Sequence, residues 1–133
     1  MSGPTAALAA RLRAEGGLIA ADVRADPLPA DVEAPAGYEV VVAAVREGEL
    51  LHQDAGRVVA PGDPDLALLA GDRLYALGLS QLADAGDVAG VAVLADVITA
   101  CARAHARDGA VDTRAIWAEG AARLAAAGKA APR

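Results

Sequence analysis

The chain has 133 residues, which is the size of one domain and excludes a large multidomain enzyme. It carries 18 acidic against 12 basic residues, for a net charge of −6. No stretch gathers the basic residues into a stripe. The charge therefore argues against nucleic acid and against an anionic membrane surface as partners.

Alanine dominates the apolar residues. There are 37 alanines but only 15 leucines, 13 valines and 3 isoleucines, and the aromatic residues are Tyr38, Tyr75 and Trp117. Alanine has the best helix propensity, whereas β-branched and aromatic residues suit strands. We therefore predict an all-α fold, an antiparallel helical bundle of about four to five helices.

Signals for secretion, disulfides or membrane insertion are weak in this sequence. The single cysteine, Cys101, excludes an intramolecular disulfide. Arg11 and Arg13 interrupt the N-terminal segment too early for a signal peptide. The longest apolar run, from Val88 to Ala102, contains Asp96 and is shorter than the roughly 20 residues that cross a bilayer. We expect a cytoplasmic protein without a membrane span.

Residues 1–37 are expected to be an N-terminal helix and a proline-rich loop with loose order. Thr5 is a candidate N-cap for a helix that carries Leu8 and Leu12 and ends at the glycine pair 16–17. Three prolines between residues 25 and 37 then fix φ and remove hydrogen-bond donors.

Residues 38–128 are predicted to form the helical domain. The valine-rich run after Tyr38 fits a buried strand or a helix, and we choose a helix because no second strand exists to pair with it. Asp63 and Pro64 begin a helix over 64–85, and Asp87 caps the next. The short connection makes 64–107 a central antiparallel hairpin.

The final predicted helix follows Asp112, its candidate cap, and ends at Gly128, after which residues 129–133 should fray. The domain as a whole is poor in large side chains. We therefore expect it to associate with a protein partner or with itself, through apolar surface on the helix that runs from Leu66 to Leu82.

Small residues recur on the 64–85 helix. Gly71 and Gly78 are two turns apart and leave a smooth strip beside Leu69 and Leu74. One interpretation is tight packing against another helix. The other makes these four residues the wall of a groove or an interface.

Two pairs of residues have the spacing of metal ligands. Glu49 and His52 form one Glu-x-x-His step, but a di-iron bundle needs two such motifs and two further glutamates, so only a dimer interface could complete that site. The other interpretation is a partly buried His52 held by Glu49 or by a neighbouring carbonyl oxygen. Cys101 and His105 share a helical face and are candidate zinc ligands, although both continue an apolar stripe and we interpret them as core. No cofactor motif is recognised.

The segment from Leu68 to Ala76, Leu-Leu-Ala-Gly-Asp-Arg-Leu-Tyr-Ala, resembles the Leu-Ala-Gly-Asp-x-Leu-x-Ala helix start of the polyprenyl synthetase family, the trans-isoprenyl diphosphate synthases. The step from Glu49 to His52 is similar to the Glu-x-x-His that opens the first aspartate-rich helix there, and the turn from Leu82 to Asp87 is similar to the next hairpin. The resemblance covers about residues 38–107.

Catalysts of that family hold magnesium on two Asp-Asp-x-x-Asp clusters, because diphosphate ionisation leaves charge that metals stabilise. This chain has no adjacent pair of acidic residues, and only Asp54 and Arg57 stand where the first cluster would follow His52. The resemblance therefore implies a short relative of the non-catalytic small subunits, which assist a catalytic partner.

Three functions follow as expectations. The first is a non-catalytic accessory subunit for isoprenoid diphosphate synthesis. The second is a helical scaffold or assembly protein without a ligand. The third is a metal enzyme built at a dimer interface from Glu49 and His52.

Overall fold

The computed structural model describes residues 3–130, and within them the regular structure is helical. The helices are α1 Pro4–Glu15, α2 Gly17–Ala21, α3 Glu39–His52, α4 Pro64–Asp84, α5 Val88–Asp108 and α6 Arg114–Ala130. The all-α prediction is confirmed. Residues 3–130 contain six helices, one more than the predicted four to five. The additional helix is the five-residue α2, which is separate from α1 because Gly16 and Gly17 take positive φ and break the helix there.

Helix α3 is the centre of the fold. Nine consecutive residues, from Val41 to Glu49, are buried, because α1, α4 and α5 all pack against this helix. The choice of helix over strand for this run is confirmed. The predicted hairpin of α4 and α5 exists, with a connection at residues 85–87, but it is not central: α4 makes its most extensive contact with α3, and α5 with α6.

Glycines bring the backbones of α3 and α4 together. A Cβ built on Gly71 would lie 2.9 Å from the carbonyl oxygen of Gly48, and one on Gly78 would lie 3.2 Å from that of Val41. Leu74 is buried between them. Helix α3 therefore fills the strip on α4, so that Gly71, Leu74 and Gly78 do not line a groove. Leu69 points away from α3 and is 65% exposed.

The N-terminal segment belongs to the core, which differs from the loose order expected for it. Leu8, Ala9 and Leu12 of α1 are buried in one cluster with residues of α3 and α4. Thr5 is not the N-cap, because the helix begins at Pro4 after Gly3. Apolar burial against α3 therefore orders this helix without a side-chain cap.

Carboxylates mark the starts of α4, α5 and α6 as predicted. Asp63 accepts a hydrogen bond from the backbone N–H of Asp65 at 2.8 Å, and Asp87 accepts one from Gly90 at 2.8 Å. Asp112 accepts from the N–H of Arg114, the first residue of α6. Helix α6 extends past the predicted end at Gly128 to Ala130, and residues 131–133 of the predicted frayed tail lie outside the described residues.

Helix α5 is the one helix within residues 3–130 that is long and apolar enough to cross a membrane, with a mean hydropathy of 1.5 over 18 residues. The expectation that this segment is too short to cross a bilayer was wrong, because the helix continues beyond Ala102 to Asp108. Core helices of globular proteins pass the same test. Val93, Leu94 and Val97 of α5 are buried in a core cluster that includes Trp117.

Candidate functional site

Glu49 lies at the junction of three helices, and four donors surround its buried carboxylate. Oε1 accepts hydrogen bonds from Arg46 Nη1 and from Trp117 Nε1, both at 2.7 Å. Oε2 accepts from Thr113 Oγ1 at 2.5 Å and contacts His105 Nε2 at 2.9 Å. The carboxylate thus joins α3 to α5 and to the start of α6.

Arg46 extends this network to the proline-rich loop. Its Nε and Nη2 donate to the two carboxylate oxygens of Asp31 at 3.1 and 2.8 Å, a fork-to-fork pair. Its Nη1 also donates to Thr113 Oγ1 at 2.9 Å. We call these residues the Glu49 cluster: Asp31, Arg46, Glu49, His105, Thr113 and Trp117.

Burial and hydrogen-bond donors have opposite effects on the pKa values of the two carboxylates in the cluster. Burial is the largest influence on Glu49 and raises its pKa, but the hydrogen bonds from Thr113, Trp117, His105 and Arg46 together outweigh it, so the pKa lies below its ordinary value. Burial also opposes ionisation of Asp31, and the pairing with Arg46 likewise leaves its pKa lowered. Both carboxylates are therefore charged near neutral pH.

His105 completes the cluster on the side of α5. Its Nε2 contacts Glu49, and its Nδ1 lies 2.9 Å from the carbonyl oxygen of Gly109. The backbone N–H of Val111 also approaches Nδ1, at 3.5 Å. Both ring nitrogens are therefore engaged by neighbouring groups, and the ring fixes the end of α5 to α3.

The structure does not support the candidate zinc pair of Cys101 and His105. Burial, together with the nearby negative charge of Glu49, raises the pKa of the Cys101 thiol to about 12. The neutral thiol is a poor nucleophile. Glu49 and Gly109 already contact the ring of His105. Cys101 therefore serves as a core residue, and His105 anchors the end of α5.

The two residues of the Glu-x-x-His step, Glu49 and His52, contact different partners. His52 Nε2 lies 3.1 Å from Asp72 Oδ1 on α4, and the ring meets Tyr75 edge-on with centroids 5.1 Å apart. Both Glu49 and His52 line a cleft of about 330 Å³ with Tyr75 and His105. The oxygens of Glu49 are occupied by donors, however, and in the part of the chain that the structure describes no three His, Cys, Asp or Glu side chains form a metal-binding group.

A second buried carboxylate, Glu47, holds the loop after α3. Its oxygens accept the backbone N–H groups of Arg57, Val58 and Val59 at 2.9 to 3.0 Å. Burial, the largest influence, raises its pKa against the effect of these donors. The loop also pairs with the N-terminal segment through the isolated bridge of Val59 with Val23.

Asp54 and Arg57, the residues at the position of the missing aspartate cluster, are separated by this loop. Asp54 is exposed and has a positive φ of 56°. The Nε of Arg57 donates to the carbonyl oxygen of Pro29 at 2.9 Å. No hydrogen bond or ion pair joins the two side chains within residues 3–130, so they do not form one charged site.

Sequence reasoning missed the Glu49 cluster. Its signal was the run Arg46-Glu47-Gly48-Glu49 on a helix whose preceding turns are solid valine and alanine, which leaves no polar face for these charges. Comparisons of the chain with protein-family models, with curated proteins and with solved structures find no match. The site must therefore be interpreted from its geometry, which is that of a saturated polar network joining helices.

Proposed function

We propose that this protein is a non-catalytic helical protein that acts by association, and that its first partner is a second copy of itself. The observation that carries the proposal is an apolar groove of about 300 Å³ between the end of α1, α2 and the start of α4. Leu18 and Leu69 line it and are 75% and 65% exposed. We call it the leucine groove; Leu12, Ile19, Leu66 and Ala70 complete its apolar lining.

Charges at the edge of the leucine groove favour a second copy over an unrelated partner. Glu15 lies between two arginines, 3.2 Å from Arg73 and 3.6 Å from Arg11. A two-fold axis brings the same surface of both copies together, so a rim of both signs is self-complementary, whereas a rim of one sign would repel. The exposed leucines supply the apolar area for such a contact.

The state of the polar groups supports the non-catalytic part of the proposal. Glu49 accepts hydrogen bonds from Arg46, Thr113 and Trp117 and contacts His105, both nitrogens of His105 have neighbouring polar groups, and Cys101 is a buried neutral thiol. A catalytic acid, base or nucleophile needs a free atom that can reach the substrate. These groups fix helices instead.

Charge reversal tests the self-association. Glu15→Arg should weaken the dimer, because it leaves only positive charge at the rim, and Glu15→Arg with Arg73→Glu should restore it. Sedimentation equilibrium of the three proteins at micromolar concentration measures this. A stable monomer for the unaltered chain, or no difference between the single and double variants, would overturn the proposal.

The accessory-subunit hypothesis is a more specific form of the proposal, in which the associated partner is a catalytic isoprenyl diphosphate synthase subunit. The resemblance of Leu68 to Ala76 to that family supports it. Because α3 fills the strip of Gly71 and Gly78, any surface that shapes a product would lie at the interface and not inside this chain. Mixing with candidate catalytic subunits and measuring isopentenyl transfer tests it; no binding and no change of product length would contradict it.

A further inference from the structure

The ring of His105 lies between two oxygen acceptors and one N–H donor. Its Nε2 is 2.9 Å from Oε2 of Glu49, and its Nδ1 is 2.9 Å from the carbonyl oxygen of Gly109. The backbone N–H of Val111 approaches the same Nδ1 at 3.5 Å. Nδ1 therefore faces both an acceptor and a donor, and both belong to the connection between α5 and α6.

The number of protons on the ring decides which of these groups Nδ1 can bind. With two protons, the ring donates to Glu49 from Nε2 and to Gly109 from Nδ1. When one proton is lost, Nε2 keeps the other, because a carboxylate is a stronger acceptor than a peptide carbonyl. The lone pair of Nδ1 then opposes the oxygen of Gly109, and the N–H of Val111 becomes the group that Nδ1 can accept.

The charges of the Glu49 cluster depend on the same proton. Asp31 and Glu49 both bind the guanidinium of Arg46, so two carboxylates share one positive charge. A doubly protonated His105 supplies the second positive charge and makes the cluster neutral. Loss of that proton leaves one negative charge unbalanced in a buried site, which is unfavourable. The protonation state of His105 is thus coupled to the polar network as well as to the connection after α5.

The other titratable groups around the ring do not alter this balance. Burial raises the pKa of Cys101 to about 12 and raises that of Tyr75 on α4, so both side chains are neutral. The remaining charged groups on the surrounding helices form pairs of opposite sign: His52 with Asp72, Asp112 with Arg114, and Arg107 with Asp108. His105 is therefore the titratable group on which the charge of the cluster depends near neutral pH.

Solvent reaches the ring, and the connection beside it leads directly into α6. The side chain of His105 is 11% exposed and lines the cleft of about 330 Å³ described above, so a proton can enter or leave the folded chain. Gly109 has a positive φ of 77° where α5 ends, and Thr113 at the far end of the connection donates to Glu49. Because Nε2 stays bound to Glu49 in both states, a change of partner at Nδ1 must move the backbone between these two residues.

We propose that His105 is a pH-sensitive switch, in which loss of the Nδ1 proton releases the carbonyl of Gly109 and brings the N–H of Val111 onto Nδ1. Histidine is the side chain whose charge ordinarily changes between pH 5 and pH 8. The protonated form fixes the connection that precedes α6, and the neutral form loosens it. The lining of the leucine groove contains no histidine, so the switch does not depend on the dimer.

Nitrogen-15 NMR of the histidine rings in the full chain, titrated from pH 5 to pH 8, tests the proposal. The shifts of the two ring nitrogens report which of them carries a proton. Both nitrogens of His105 should be protonated at the acidic end, and only Nδ1 should lose its proton as the pH rises. The amide proton of Val111 should move downfield with the same midpoint, because it gains a hydrogen bond.

The two histidines of the chain provide matched variants. His52→Gln should preserve the pH-dependent shift of Val111, and His105→Gln should abolish it while the circular dichroism stays that of the unaltered chain. Three results would overturn the proposal: a constant proton count on His105 across the titration, a neutral ring protonated at Nδ1, or a Val111 shift that persists in folded His105→Gln. The first two come from the unaltered chain and need no variant to fold, and none of the three bears on the dimer.

Discussion

The indole nitrogen of Trp117 on α6 donates a hydrogen bond of 2.7 Å to the carboxylate of Glu49 on α3, and both side chains are buried. The bond joins residues 68 positions apart. It brings one more donor to a carboxylate that already binds Arg46, Thr113 and His105. Helix α6 is therefore held to the central helix by polar contacts in addition to apolar packing.

Removal of this carboxylate should strongly destabilise the fold. Glu49→Ala removes the carboxylate that pairs with Arg46 Nη1, although Asp31 still pairs with the guanidinium, and it leaves the indole of Trp117 without an acceptor. Breaking a buried pair costs about 3 to 5 kcal/mol. Urea unfolding followed by Trp117 fluorescence measures the change. Glu119→Ala, at an exposed position of α6, is the control and should change the free energy of unfolding by less than about 0.5 kcal/mol. Equal effects of the two substitutions would contradict the role of the cluster.

Stability should fall in acid partly through Glu49. Because its pKa is lowered in the folded state, its contribution is fully present above the ordinary value of 4.5 and is lost as the pH falls through the folded pKa. Glu49→Gln should therefore show a smaller loss of unfolding free energy between pH 5 and pH 3 than the unaltered chain. Burial raises the pKa of Glu47, which gives the opposite sign, but Glu47 is common to both proteins. Parallel pH profiles would exclude this role for Glu49.

The contact of α3 with α4 should not accept a side chain at Gly71. Gly71→Ala puts a Cβ 2.7 Å from His52 Nε2 and 2.9 Å from the carbonyl oxygen of Gly48, so the helices must separate. Overpacking of this kind costs about 1 to 3 kcal/mol. Gly62→Ala is the matched control, since its Cβ would meet no atom within 4 Å. Thermal unfolding compares them, and an unchanged Tm for Gly71→Ala would show that the contact is loose.

Cys101 should be inert in the native protein. Burial raises the pKa of the thiol to about 12, and the thiolate is the species that reacts with iodoacetamide. Labelling followed by mass spectrometry should be slow in buffer at pH 7.5 and fast in concentrated urea. Rapid labelling of the folded chain would mean that the end of α5 opens readily.

The elements that could be predicted from the sequence are those that local chemistry determines. The starts of α4 and α5 follow from Asp63 and Asp87, because a capping carboxylate acts on residues two or three positions away. The packing of Gly71 against another helix was one of two interpretations of the sequence. Residue periodicity shows that one face of α4 is smooth, but it does not show which helix covers that face.

The Glu49 cluster could not be predicted in the same way. Glu49 meets His105, Thr113 and Trp117 only after the chain folds, across 56 to 68 positions. The spacing of Glu49 and His52 allowed either a shared metal or a His52 held by Glu49 or by a carbonyl oxygen, whereas the tertiary structure turns Glu49 towards α6 and His52 towards Asp72. The spacing of two residues within one helix does not show which side chains from other helices will be their hydrogen-bond partners.

The most direct test of association through the leucine groove is the mass of the protein in solution when one of its leucines is replaced. Leu69 lines the groove, whereas its neighbour Leu68 is 50% exposed outside it. Sedimentation equilibrium at micromolar concentration should give a dimer for the unaltered chain and for Leu68→Glu, and a monomer for Leu69→Glu, because a buried charge at the interface is unfavourable. A monomer in all three proteins, or a dimer that both substitutions leave unchanged, would contradict the proposal.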